Sequence, residues 1–214
     1  MEQQQFIVVE GPIGVGKTTL ARRLSETFDG ELLLENADSN PFMTRFYENP
    51  RSSALPTQLF FLFQRAQQLG NLNQSDMFSP VRIADFLMAK DRLFAELTLD
   101  KHELDLYDQV AATLDIQAPV PDLVVYLQAP VDVLRQRISN RGISHEQQVR
   151  SHYLSDLVEC YARFFHDYQL SPLLIVNAAE IDLVNKDEDY EMLLERIRTH
   201  RKGSQYFNPM PMIS

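Results

Sequence analysis

The sequence predicts an α/β fold: a doubly wound parallel sheet of five strands with helices on both faces. Three observations predict it. Five short apolar runs are separated by stretches of helical periodicity, the pattern of strand–helix–strand units. One run, Leu123-Val124-Val125-Tyr126-Leu127, is apolar throughout rather than alternating, so it reads as a central strand buried on both faces. The first run, Phe6-Ile7-Val8-Val9-Glu10, leads directly into Gly11-Pro12-Ile13-Gly14-Val15-Gly16-Lys17-Thr18 and then a helical stretch from Thr19 to Phe28.

The remaining elements follow in order. Leu32-Leu33-Leu34-Glu35 is a second strand that ends in a carboxylate, and Asn40-Pro41 breaks the chain after it. Phe42 to Tyr47 gives a turn or two of helix, closed near Asn49-Pro50. A long helix starts at about Pro56 and carries Leu59, Phe60, Leu62, Phe63, Ala66 and Leu69 at helical spacing. Val81 to Phe86 is the third strand. Helices over Ala89–Leu99 and Glu103–Leu114 lead to Pro119 and Pro121. Beyond the fourth strand come a helix from Asp132 to Asn140, the pair Arg141-Gly142, and a polar loop from Ile143 to Gln148. A helix from Tyr153 to Tyr168, a fifth strand Leu173-Leu174-Ile175-Val176 and a last helix from Glu188 to His200 complete the pattern. The stretch Gly203 to Ser214 has two prolines and no periodicity.

Composition narrows the classes. The 214 residues suit one domain, and 44% hydrophobic residues suffice for a sizeable core. The net charge of −10 argues against non-specific binding to nucleic acid or an anionic membrane, both of which need basic patches. No apolar run reaches the length of a membrane-spanning helix. The single cysteine, Cys160, excludes an internal disulfide and reads as a packed thiol on a helix. A cytoplasmic setting is the expectation. The five histidines lack metal-ligand spacing.

The chemistry concentrates at the first strand. In G-x-x-x-x-G-K-T, glycines permit backbone conformations and close approaches that a side chain blocks. The freed N–H groups and the helix N-terminus then face an anion. Gly11, Gly14, Val15, Gly16, Lys17, Thr18 and Thr19 are the expected cradle for ATP, with Lys17 reaching the β/γ-phosphates and Thr18 holding Mg²⁺. Glu35, at the carboxyl end of the neighbouring strand, is placed to take a proton from an attacking hydroxyl. Asp85 lies near the end of the third strand; it either orders Mg²⁺ or caps the following helix. Arg137 and Arg141 are spaced i, i+4 beside a loop that can close, which suits a γ-phosphate whose charge spreads in transfer. Gln64 sits among aromatics, and its amide serves either a nucleobase edge or a structural partner.

These residues resemble the deoxynucleoside kinase family, within the P-loop nucleoside and nucleotide kinases, over nearly the whole chain. The resemblance rests on Gly11–Thr18, Leu34-Glu35, Phe46-Tyr47-Glu48-Asn49-Pro50, Phe61-Leu62-Phe63-Gln64, Pro121 to Ala129, and Arg137-Ile138-Ser139-Asn140-Arg141-Gly142 followed by Glu146. It implies that Glu35 is the general base on a sugar 5′-hydroxyl and that Gln64 pairs with the base. It implies that Tyr47 and Glu146 hold the 3′-hydroxyl, that Arg137 and Arg141 clamp phosphates, and that an aromatic such as Phe94 or Phe63 stacks on the base. One domain over 1–202 with a short lid at about 137–148, a tail over 203–214, a deoxynucleoside as partner and a helix-packed homodimer follow as expectations.

The family's third strand usually ends in Glu-Arg-Ser or Asp-Arg-Ser. Here the stretch reads Ala84-Asp85-Phe86, and Ile143 stands where an arginine is common. Asp85 is the candidate for the missing acid, and Arg92 or Arg65 for the missing cation. Three rivals stand against this reading. A nucleoside monophosphate kinase would use Arg45, Arg51 or Arg65 for an acceptor phosphate. A GTPase switch fails for want of D-x-x-G, and because Asn185-Lys186-Asp187-Glu188 misses the last position of N-K-x-D. The third is a nucleotide-binding module without catalysis.

Overall fold

The computed structural model describes residues 6–72, 81–144 and 146–209. All strands are parallel and lie in one sheet. They are β1 (Phe6–Glu10), β2 (Glu31–Leu33), β3 (Arg82–Ala84), β4 (Leu123–Gln128), β5 (Leu173–Asn177) and β6 (Ser204–Phe207). The order across the sheet is β2-β3-β1-β4-β5-β6. Eight α-helices accompany them among the described residues: α1 (Lys17–Phe28), α2 (Met43–Glu48), α3 (Pro50–Leu72), α4 (Asp91–Thr98), α5 (Lys101–Leu114), α6 (Val131–Arg141), α7 (Ser151–His166) and α8 (Asp187–Thr199).

Alternation along the central strands explains the two-sided burial. Ile7 and Val9 of β1 join Leu20 and Leu24 of α1, Leu134 of α6 and Leu193 and Ile197 of α8 in one core. Phe6 and Val8 face the other way, into a core with Leu69 of α3 and Leu157, Tyr161 and Phe165 of α7. Tyr126 of β4 stacks on Phe165 with ring centroids 4.2 Å apart. Each face therefore needs its own helical layer, and the strands between can carry no polar alternation.

Three sequence expectations are corrected. The sheet has six strands rather than five, because Ser204–Phe207, expected in an aperiodic tail, pairs with β5 from Leu173↔Ser204 to Val176↔Phe207. An edge strand needs only one hydrogen-bonding neighbour, so four residues with one half-exposed face leave little apolar signal. The long helix begins at Pro50 rather than about Pro56. A proline suits the first turn, whose N–H groups have no partner in the helix, and Pro56 lies inside it. The second strand ends at Leu33, so Glu35 stands just beyond the strand rather than on it. His145 lies outside the described residues.

Topology fixes the site. β1 lies between β3 and β4, and β2 lies beyond β3. The chain after β1, β2 and β3 therefore emerges side by side at one end of the sheet, where ligands bind in open parallel sheets.

Candidate active site

The loop after β1 is shaped by two glycines. Gly11 has φ +148°, and a Cβ there would stand 2.3 Å from the Leu127 carbonyl oxygen. Gly14 has φ +81°, and its Cβ would meet Ile138 Cγ1 at 2.8 Å. No side chain fits either place, so the loop packs backbone-to-backbone against β4 and α6. α1 then starts at Lys17 with no acidic residue in its first turn, which leaves its N-terminus open to an anion. Lys17 Nζ donates to the Gly11 carbonyl at 2.8 Å, folding the ammonium back over the loop. Burial, followed by the nearby Lys90 charge, lowers its pKa against the opposing pull of Glu10, Glu35 and Asp85.

Thr18 and Asp85 meet beside this loop. The Thr18 hydroxyl donates to Asp85 Oδ2 at 2.6 Å, and the Glu35 backbone N–H donates to Asp85 Oδ1 at 2.6 Å. Asp85 follows β3 directly, joins the loop to Glu35, and caps no helix: α4 starts only at Asp91. Burial raises the Asp85 pKa, and its two hydrogen bonds and Lys17 act in the opposite direction. The hydroxyl and carboxylate are hard oxygen donors held together, a set that fits Mg²⁺.

A cavity of about 490 Å³ opens next to them. Its lining runs from Gly14, Gly16, Lys17, Thr18 and Thr19 through Glu35 and Asp85 to Tyr47, Gln58, Phe61, Arg65, Lys90, Phe94, Arg141 and Glu146. Gly11 and Val15 pack behind this lining.

A family model described as deoxynucleoside kinase matches residues 7–202. The chain belongs to the deoxynucleoside kinase family. It is 33% identical over 206 residues to a deoxyguanosine kinase of Bacillus subtilis (strain 168), covering 92% of this chain and 98% of the relative. A deoxyadenosine/deoxycytidine kinase from the same organism is 25% identical over 205 residues, covering 91% of this chain and 92% of the relative. Among solved structures, a deoxyadenosine kinase of M. mycoides with dCMP and dCDP bound superposes with a TM-score of 0.78 at 22% identity, covering 90% of this chain and 98% of that one. The chain is thus a kinase that phosphorylates deoxynucleosides, on a P-loop α/β fold. No helix among the described residues is long and apolar enough to cross a membrane.

Beyond the loop, the cavity wall carries a cluster of buried charges. Arg65 of α3 is 3% exposed and pairs with both Glu35 and Asp91. Asp91 also accepts from the Tyr107 hydroxyl of α5. Burial alone would raise the Glu35 carboxyl, but Arg65, then Lys90 and Lys17, outweigh it and hold it down to about 2. Lys90 is 1% exposed and lies 2.8 Å from Glu10 Oε1 and 3.9 Å from Glu35 Oε2. Of the two cations considered for the missing family arginine, Arg65 reaches the site. Arg92 does not: it faces solvent and pairs with Glu96 and Asp108.

The expected sugar residues come together. Tyr47 and Glu146 are both buried and line the cavity, and Arg141 donates to both carboxylate oxygens of Glu146. Burial pushes the Tyr47 hydroxyl well above its ordinary pKa.

Two expected residues lie elsewhere. Gln64 is absent from the cavity lining, and its amide donates to Ser39 Oγ at 3.0 Å. The amide in the cavity belongs to Gln58, 3% exposed, with Nε2 donating to Thr98 at 3.2 Å. Gln58, Phe61 and Arg65 follow i, i+3, i+7 spacing on α3, a helical-face pattern that identifies the residues turned to one side. Arg137 shares α6 with Arg141 but not the cavity. Its guanidinium donates to the Val15, Ala178 and Ile181 carbonyls, bracing the phosphate loop against the turn after β5. Burial lowers its pKa. Sequence reasoning also passed over Lys90-Asp91, two charges inside an expected helix that fold to opposite partners, Glu10 and Arg65.

Proposed function

We propose that the kinase transfers the γ-phosphoryl group of ATP, with Mg²⁺, to the 5′-hydroxyl of a purine deoxynucleoside, deoxyguanosine foremost. The observation that carries this reading is the position of Glu35. Its carboxylate lies between the phosphate loop and a pocket whose far wall holds Tyr47, Gln58 and Glu146. A sugar hydroxyl directed at Glu35 gives up its proton there as its oxygen attacks the phosphorus in line. Tyr47 and Glu146 hold the 3′-hydroxyl, Gln58 pairs with the base edge, and Phe61 or Phe94 packs on the base plane. Thr57 lines the same wall with a buried hydroxyl that has no hydrogen-bond partner among the described residues, as a ligand-reading group would.

Lys17 and the N–H groups of the loop hold the donor phosphates. Thr18 and Asp85 would hold Mg²⁺, which when bound would neutralise phosphate charge. Arg141, now paired with Glu146, is close enough to the lid to exchange that partner for a phosphate. Arg137 supports the loop rather than the reacting phosphate.

The purine preference draws on the deoxyguanosine kinases among the relatives, at 33% and 29% identity. A monophosphate acceptor fits less well. Arg45 and Arg51 are exposed and outside the cavity lining, and Arg65 is engaged by two carboxylates. A homodimer in the cytoplasm completes the proposal, supported by Phe63 of α3 and Leu106 of α5, large apolar side chains 51% and 46% exposed on helices that pack together.

Incubation with ATP, Mg²⁺ and a panel of deoxynucleosides and deoxynucleotides tests this. The expected product is a deoxynucleoside 5′-monophosphate, fastest from deoxyguanosine. Turnover of monophosphates alone would overturn the acceptor, and a faster pyrimidine would overturn the base preference.

A further inference from the structure

The transfer reaction builds negative charge at the acceptor oxygen and on the moving phosphoryl group, next to a Glu35 carboxylate that is itself charged. Arg22 lines the same cavity but is exposed on α1, and four other cations have other engagements. Lys17 bonds the Gly11 carbonyl, Arg65 holds Glu35 and Asp91, Arg141 holds Glu146, and Arg137 is outside the cavity. Phe86, next to Asp85 after β3, is 1% exposed and packs in the hydrophobic core.

Lys90 is different. It lines the cavity, is 1% exposed, and enters from a short 3-10 turn before α4. Its neighbour Glu10 does not need it for hydrogen bonding. Glu10 Oε2 accepts from the Gly11 N–H at 3.0 Å and the Tyr161 hydroxyl at 2.9 Å, and Oε1 accepts from the Leu87 N–H at 2.8 Å. Both Glu10 oxygens thus have other donors, so the ammonium is not consumed in satisfying that carboxylate. An ammonium has three N–H donors. Glu10 takes one, the Phe94 ring lies 5.0 Å away, and Glu35 Oε2 at 3.9 Å is beyond hydrogen-bond reach. The gap between Lys90 and Glu35 is where an oxygen that surrenders its proton to Glu35 would sit.

We propose that Lys90 is a catalytic residue, whose ammonium, held by Glu10, donates to the acceptor oxygen and to the phosphoryl group arriving on it. This assignment rests on the proposed transfer to a hydroxyl. The step balances without further reagents. The hydroxyl proton passes to Glu35, the acceptor oxygen forms the new P–O bond, and the bond from phosphorus to the bridging oxygen breaks to release ADP. Lys90 keeps its protons and stabilises charge throughout.

The test uses the full chain with ATP, Mg²⁺ and the deoxynucleoside that the unmodified protein turns over fastest. Single-turnover rate and nucleoside affinity are measured for Lys90→Met, Lys90→Gln and Lys90→Arg. Removal of one preorganised charge donor lowers the rate about 10²- to 10³-fold. The expected result is that loss for Met and Gln, nucleoside affinity within about threefold, and much of the rate retained in Arg. Ethylammonium added to Lys90→Ala should restore rate saturably, which a structural role would not do. Should Lys90→Met fail to fold, Lys90→Gln, which keeps a donor for Glu10, decides. A folded Lys90→Gln with unchanged rate overturns the assignment alone. An unmodified protein that makes no nucleotide overturns the functional reading and this assignment with it.

Discussion

The two ends of the site are built by opposite means. The donor end is one continuous stretch, Gly11 to Thr18, whose binding groups are mainly backbone. The acceptor end is drawn from scattered side chains: Glu10 at the end of β1, Glu35 after β2, Gln58 and Arg65 on α3, Lys90 just before α4 and Asp91 at its start, and Glu146 beyond α6. The donor end is packed so closely at Gly11 and Gly14 that a side chain at either would collide with β4 or α6. The acceptor end is rigid because each buried charge has an opposite partner. Substitutions should therefore fail differently at the two ends, by misplacing backbone at one and by leaving charge unpaired at the other.

The largest effect separates the ends by stability. Arg65→Met leaves Glu35 and Asp91 facing each other, with Asp91 2% exposed. Removal of one partner of a buried ion pair costs about 3–5 kcal/mol. For a chain of this size that lowers the melting temperature on the order of 10 °C. Calorimetry should show the loss at neutral pH; an unchanged melting temperature would mean that the cluster is not closed in solution. Gly11→Ala acts next, on the other end. A methyl 2.3 Å from the Leu127 carbonyl must displace the loop. A displacement of about 1 Å costs on the order of 10²-fold in kcat/KM for ATP, with nucleoside affinity kept.

Gln58→Leu and Gln64→Leu sharpen the acceptor end. Loss of a buried polar partner to the base costs about 1–3 kcal/mol, so Gln58→Leu should weaken nucleoside binding by roughly 5- to 100-fold. Gln64→Leu should change it by less than about threefold, because its amide bonds Ser39 outside the cavity. Equal losses would return base recognition to Gln64.

Acidity gives a smaller effect with a definite sign. Glu35 is held down to about 2, below its ordinary 4.5. Its stabilising contribution is therefore complete above about pH 4.5 and is lost only as pH falls toward 2. Asp85 moves the other way, raised above 3.8, so its protonation comes first on acidification. The acid limb of kcat/KM should follow Asp85 and move to lower pH as Mg²⁺ is increased, since metal and proton compete for one carboxylate. A limb insensitive to Mg²⁺ would detach Asp85 from the metal. Smallest of all, Arg92→Ala should change stability by less than about 1 kcal/mol, because Arg92 is 55% exposed and its ion pairs are solvated.

The same contrast decides what the sequence reveals. The donor loop is legible because its geometry is local: a strand, two glycines with no room for a side chain, and Lys-Thr at the helix start. β1, β4 and β5 are legible because burial on both faces leaves unbroken apolar runs. β6 is not, because an edge strand needs neither. The expected Glu35, Tyr47, Asp85 and Glu146 line one cavity. Gln64 stands out in the sequence as an amide in an aromatic run, and Gln58 carries no such signal, because the face of α3 turned to the cavity is set by packing against α2, α4 and α5. Arg137 and Arg141 share helical phase, yet one braces carbonyls and the other meets Glu146, a division made by the turn after β5. Lys90 carries no sequence signal at all; only the convergence of β1, β2 and α4 gives it two carboxylates.

The central claim is that Glu35 takes the proton from a nucleoside hydroxyl that the side-chain end has positioned. Rapid-quench single turnover of Glu35→Gln, with affinities for ATP and deoxynucleoside measured on the same protein, tests it most directly. The account predicts a chemical step slower by about 10²- to 10⁴-fold with both affinities nearly kept. An unchanged rate of 5′-monophosphate formation would contradict it.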